Sequence, residues 1–98
     1  MIYRLCVPLT IEENDEVRVL EWHVKVGARI LAGELLVELE TNKALIEVRA
    51  DQEGTLREIC VEAEGWCPLG GLLALASDTD GEPLTESVQD LSADFRIG

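Results

Sequence analysis

Aromatic residues make up only 4% of this 98-residue chain, so its core has to come mostly from Val, Leu, Ile and Ala within the 47% apolar fraction. Basic residues are equally scarce. Eight Lys and Arg stand against twenty Asp and Glu, for a net charge of −12. Nucleic acids and anionic membrane surfaces are both bound through a basic face, so neither is expected as a partner, and partners with basic surfaces are favoured. No apolar run approaches the roughly 18 residues that a membrane-spanning helix needs. The first ten residues hold a short apolar stretch but run straight into Glu12, Glu13, Asp15 and Glu16, so no signal peptide is read. The expected compartment is the cytoplasm or an equivalent soluble matrix.

Thiols and imidazoles are too few for the usual metal or catalytic clusters. Cys6, Cys60 and Cys67 are odd in number and form no C-x-x-C pair, which argues against a disulfide framework or a zinc site. They are expected to be buried or half-buried free thiols. The sole histidine, His23, lies in an alternating stretch and reads as a strand residue rather than a ligand or base. The sequence therefore offers no catalytic residue and no metal site.

What remains is a β pattern. Short runs rich in Val, Leu and Ile recur at residues 3–7, 17–24, 29–31, 35–39, 45–49, 55–61, 66–67 and 72–76, with glycines between them. Before residue 78 no segment has a sustained helical period. Residues 24–36 also resemble residues 61–73: both read strand, glycine turn, short interval, glycine turn, strand. The second copy carries one extra residue before its first glycine, making Gly27 and Gly65 equivalent turns, and likewise Gly33 and Gly71. Two halves too small to bury a face alone should pack together with approximate two-fold symmetry. The fold class expected is all-β, with residues 1–77 as the domain. Residues 78–98, with six acids against one arginine, read as an acidic linker or tail that is mostly mobile. Within it the spacing of Val88, Leu91 and Phe95 also allows one or two turns of amphipathic helix.

The chain has two lysines, Lys25 and Lys43. Lys43 falls in Glu40-Thr41-Asn42-Lys43-Ala44, where the two strands joining the halves should turn. A two-residue loop at Asn42-Lys43 fixes the register of the flanking strands, and Asn suits it because it can bond its own backbone and tolerates unusual φ. Lys43 is then presented on a rigid platform amid the negative charge of Glu38, Glu40 and Glu47. Small Ala44 leaves it accessible. Lys25 precedes a glycine turn and lacks this setting.

With these elements in place the chain resembles the biotinyl/lipoyl attachment-domain family, and within it the lipoyl branch. The resemblance covers residues 1–77. Trp22-His23-Val24-Lys25-Val26-Gly27 resembles the strand leading into the first glycine turn. Leu36 through Ala44 resembles the modified hairpin, and Gly54 through Gly71 the second half. The resemblance implies a flattened barrel-sandwich hybrid of two four-stranded antiparallel sheets. It implies lipoate covalently attached to Lys43, with Glu40, Thr41, Asn42 and Ala44 as the recognition hairpin. It implies a lipoate ligase or lipoyl transferase as one partner. Others are the decarboxylase, acyltransferase and dihydrolipoamide dehydrogenase components of a 2-oxo acid dehydrogenase or related complex. The domain would be a non-catalytic carrier, belonging to or associated with a dihydrolipoamide acyltransferase, while the dithiolane carries the acyl group and the electrons. The chain's small size and acidic charge favour a monomer in isolation. The chain departs from the usual signature at Asn42, where an aspartate is common. The biotin branch places Met on both sides of its lysine, which Asn42 and Ala44 do not match. A biotin carrier of a carboxylase and an unmodified barrel-sandwich interaction module are the competing readings.

Overall fold

A computed structural model describes residues 2–8, 16–78 and 94–97. Eight strands follow in chain order: β1 (Ile2–Cys6), β2 (Glu16–Trp22), β3 (Arg29–Ile30), β4 (Leu35–Glu40), β5 (Leu45–Arg49), β6 (Gly54–Ile59), β7 (Trp66–Pro68) and β8 (Leu72–Ser77). They form two four-stranded antiparallel sheets, ordered β1-β8-β6-β3 and β5-β4-β2-β7. Every expected strand is present, with ends shifted by a residue or two. His23 lies just past the end of β2 instead of within it.

Alternation along each strand assigns the faces. Val17 and Val19 of β2, Val37 and Leu39 of β4, Val48 of β5, Leu56 of β6 and Leu73 of β8 turn inward and are almost fully buried. With Leu5, Ile30 and Leu36 they make one aliphatic core between the sheets. Each such side chain contributes about 1.5–3 kcal/mol on burial, so the core does without aromatics from the strands. The one fully enclosed ring comes from elsewhere. Phe95, 3% exposed, packs edge-on against Tyr3 with ring centroids 6.0 Å apart.

Reciprocal main-chain hydrogen bonds join the halves. Gly27 N donates to Leu56 O, and Glu64 N donates to Val19 O, both at 2.7 Å. In return Leu56 N donates to Ala28 O and Val19 N to Gly65 O. His23 N→Leu36 O is matched by Cys60 N→Leu73 O. These pairs superpose the halves at one constant offset along the chain, without a gap. The expected equivalence of Gly27 with Gly65, and of Gly33 with Gly71, is therefore displaced by one residue. The true counterparts are Gly27 and Glu64, then Gly33 and Gly70, and all four have φ between 74° and 92°. The neighbouring glycines serve a different need. A Cβ on Gly65 would sit 2.8 Å from Val61 Cγ1, and one on Gly71 would sit 2.7 Å from Cys67 Sγ. The repeat thus uses glycine for left-handed backbone at some positions and for close approach at others.

The acidic segment after residue 78 lies mostly outside the described residues, as do Val88 and Leu91. Its described end, Asp94–Ile97, packs back on the sheets. Phe95 N donates to Arg4 O and Asp51 N donates to Arg96 O, while Ile97 bridges Ala50. Arg4 pairs with Asp94 at 3.1 Å. Gly54 makes room for the ring, since a Cβ there would lie 2.9 Å from Phe95 Cε1. Phe95 sits in this extended segment, not on an amphipathic helix.

Two stability outcomes follow. Glu64→Gly removes a left-handed non-glycine conformation costing about 1–2 kcal/mol, against a smaller loss of chain entropy. Glu64 pairs with Arg18 only at 3.5 Å on an exposed surface, a contact of little worth. Thermal unfolding should shift up by a few degrees, on a scale of about 4–8 °C per kcal/mol for a domain of this size. Phe95→Ala should lower stability by about 3 kcal/mol, read from urea unfolding, and a chain ending before Asp94 should lose at least as much.

Candidate functional site

The β4–β5 hairpin is the segment singled out by the sequence, and its register runs Val37↔Val48, Glu38↔Glu47, Leu39↔Ile46 and Glu40↔Leu45. Leu39 and Val48 anchor it in the core. Beyond the last strand pair, Thr41 N donates to Ala44 O at 3.0 Å, which closes the loop around Asn42-Lys43. The expected two-residue tip is therefore present.

Its internal chemistry differs from the expectation. No residue of the tip has positive φ; among the described non-glycine residues only Glu64 does. Asn42 is not being used for left-handed backbone. The turn is organised by half-buried Thr41. Its Oγ1 accepts the amide hydrogens of Lys43 at 3.2 Å and Ala44 at 3.1 Å, and the hydroxyl leans toward Ala44 O at 3.4 Å. A hydroxyl that satisfies two amides replaces the carbonyl a regular hairpin would use. Asn42, Lys43 and Ala44 are all exposed. These contacts of Thr41 run to main-chain atoms, so converting the lysine's amine to an amide leaves them intact. The tip fits a covalently carried group on that ground.

The surroundings are acidic and ordered by register. Glu21↔Glu38 and Glu38↔Glu47 are direct cross-strand neighbours on the outer face. Like charges so placed repel. Two of these carboxylates have a nitrogen partner: Arg49 Nη2 lies 3.2 Å from Glu47 Oε1, and His23 Nε2 lies within hydrogen-bonding distance of Glu38 Oε1, at 2.6 Å. His23 thus has carboxylate neighbours that the sequence did not reveal. One ligand atom from each of Glu21, His23 and Glu38 falls within 4.8 Å of the others. One row closer to the tip, Arg18 bridges Glu40 at 3.6 Å and Glu64 at 3.5 Å.

The cysteines are free and lie away from this hairpin. Cys67 is buried and Cys6 half-buried, but Cys60 is exposed, against the expectation that all three would be covered. Burial pushes each thiol above the usual range, so none is poised as a thiolate nucleophile. Lys25 lies exposed outside the strands, before the turn at Val26-Gly27.

Two facing four-stranded sheets with an internal two-fold repeat, lifting a lysine on the hairpin between the halves, define an attachment domain. Known proteins agree. The family model described as "Biotin-requiring enzyme", covering biotin and lipoyl attachment, matches residues 5–75. The chain belongs to this biotin/lipoyl attachment family and falls on its lipoyl branch, whose members carry lipoate on a lysine. It is 38% identical over 65 residues to the dihydrolipoyllysine-residue succinyltransferase component of the 2-oxoglutarate dehydrogenase complex of Haemophilus influenzae, covering 66% of this chain and 16% of that protein. It is 34% identical over 86 residues to the dihydrolipoyllysine-residue acetyltransferase component of the pyruvate dehydrogenase complex of Rickettsia bellii, covering 87% of this chain and 20% of that one. The chain therefore spans a fifth or less of these curated relatives. The solution structure of the lipoyl domain of the Azotobacter vinelandii 2-oxoglutarate dehydrogenase complex superposes with a TM-score of 0.66 at 29% identity, covering 76% of this chain and 95% of that domain.

If Thr41 Oγ1 holds the tip, Thr41→Ala should cost about 1 kcal/mol. It should also speed hydrogen exchange at the Lys43 and Ala44 amides by about tenfold, measured by NMR, while Thr41→Ser leaves exchange near the wild-type rate.

Proposed function

We propose that Lys43 is the lipoyl attachment residue and that the domain is a non-catalytic carrier. Its arm moves acyl groups and reducing equivalents between the active sites of a 2-oxo acid dehydrogenase or related complex. The observation that carries this reading is the placement of Lys43: exposed, at the tip of a hairpin whose strands are locked into the core and whose turn is braced by Thr41. Glu40, Thr41, Asn42 and Ala44 form the recognition hairpin around it.

Attachment needs an enzyme, because a protonated amine is a poor nucleophile. A lipoate ligase or lipoyl transferase would take the proton from Nζ, whose lone pair then attacks the carbon of an activated acyl group. An amide bond forms and the activating group leaves. When bound, the dithiolane accepts an acyl group with its own reduction and is returned by oxidation. The protein's part is to present it. A rigid hairpin confines the volume the tethered group explores and so raises its effective concentration at each partner site. The decarboxylase, acyltransferase and dihydrolipoamide dehydrogenase components are the expected partners, working in the cytoplasm or an equivalent matrix. A charge of −12 on so small a chain disfavours self-association and supports a monomer. We read residues 1–77 as the carrier unit and 78–98 as an acidic segment whose end folds back onto it.

Intact-mass spectrometry after treatment with a lipoate–protein ligase, ATP and lipoate tests the assignment. The wild type should gain one lipoyl group. Lys43→Ala should gain none, while Lys25→Ala should be modified fully. A lipoyl gain that persists in Lys43→Ala would overturn the assignment. A biotin-sized gain with a biotin ligase, and none with lipoate, would favour carboxylase carriage.

A further inference from the structure

We infer that the outer face of the β5-β4-β2-β7 sheet, along the cross-strand row Leu45, Glu40, Arg18 and Trp66, is the docking surface for the enzyme that acylates Lys43. The inference rests on Lys43 being the attachment residue. The row is set by register: Leu45 pairs with Glu40, Glu40 with Arg18, and Arg18 with Trp66. It is the first full row beneath the Thr41–Ala44 turn. At roughly 4.8 Å per strand it extends about 14 Å across the sheet, well inside a footprint of about 800 Å² per partner.

Both ends of the row are apolar and uncovered, Leu45 at 57% and Trp66 at 59% exposure. The fold has no evident use for an indole at residue 66. In β7 the burial is done by Cys67. The counterpart of Trp66 in the first half is Arg29, an exposed residue paired with Glu53 at 3.0 Å. A position that accepts a charged side chain in one half is a surface position in both. The other tryptophan, Trp22, is half-buried and donates from Nε1 to Val61 O at 2.8 Å, so it is committed to structure. An exposed tryptophan beside desolvatable charges is the residue type that most often dominates binding energy.

Charge selects the occupant. Glu40 and Glu64 flank Arg18 at 3.6 and 3.5 Å, and the next row adds Glu21, Glu38 and Glu47. A second copy, also at −12, would meet its own acids. A partner with an apolar pocket for Trp66 and basic side chains for Glu40 and Glu64 is complementary. The modifying enzyme must also tell Lys43 from exposed Lys25, and the row abuts the hairpin of Lys43. Val26 and Leu31, 58% and 57% exposed, adjoin Lys25 in the chain and serve as controls of matched exposure.

The test is the initial rate of lipoyl mass gain with a bacterial lipoate–protein ligase, ATP and lipoate, measured against carrier concentration. Trp66→Ala should lower kcat/KM by about tenfold or more, through a raised KM with kcat near wild type, and should still reach complete modification. Trp66→Arg, which supplies the side chain of its counterpart Arg29, should fold as the wild type does and lose at least as much. Val26→Ala and Leu31→Ala should stay within about twofold. Thermal unfolding of each variant establishes that it is folded. A kcat/KM within twofold of wild type for folded Trp66→Ala and Trp66→Arg overturns the docking surface and leaves Lys43 as attachment residue. No gain on the wild type overturns both. A wild-type dimer in sedimentation, dissolved by Trp66→Ala, assigns the row to a second copy and overturns the inference.

Discussion

The structure depends on a reciprocal exchange of backbone hydrogen bonds between two half-domains, neither of which closes a core alone. Gly27 and Glu64 each send an amide across to the opposite half, and Leu56 and Val19 return one. The left-handed φ at Gly27 and Glu64 aims those amides. These bonds prolong the β3–β6 pair of one sheet and the β2–β7 pair of the other, so each half completes a sheet with a strand of its counterpart and the two sheets form only together. The positions of Leu36, Leu39, Leu56 and Leu73 in the core follow from it. So does the inner position of β4, with β2 on one side and β5 on the other. The lysine hairpin projects from the best-supported part of one sheet. β5 is an edge strand, and the edge is defended by brevity and by Glu47 and Arg49 on its outer face.

Much of this was legible in the sequence because the signals are local. Each strand is a short run of Val, Leu and Ile bounded by turn residues, and the repeat survives as a spacing of glycines. What escaped was non-local or substituted. The glycines align Gly27 with Gly65, yet Glu64 occupies the left-handed position that matches Gly27, and the glycine beside it answers a close approach to Val61. The docking of Phe95 beneath Gly54 joins residues far apart in the chain, and nothing in the local pattern of either announces it. The role of Thr41 had a legible signal, a hydroxyl two residues before the tip amide. Asparagine is the commoner turn former, and here the hydroxyl beside it takes that role. The row from Leu45 to Trp66 needs the bulge between Val19 and Glu21 to be known. A shift of one residue there would exchange the faces of the strand.

Membership of the lipoyl branch and the change to Asn42 can be reconciled through what each residue does. A carboxylate before the lysine would add charge at a tip already flanked by Glu40, with Glu38 and Glu47 behind it on the same hairpin. The screening length near physiological ionic strength is about 8 Å, so these nearby acids set much of the field a partner meets on approach. The geometry of the tip is carried by Thr41 and by the Glu40–Leu45 pair, neither of which depends on the identity of residue 42. Asn42 therefore removes one element of local charge without disturbing presentation. The separation is physical: the core and its crossing bonds hold the lysine in place, Thr41 shapes the turn, and the acids and exposed apolar side chains lie on the outer face, where they take no part in either. A change at residue 42 alters the charge at the tip and leaves the main-chain support of Lys43 intact.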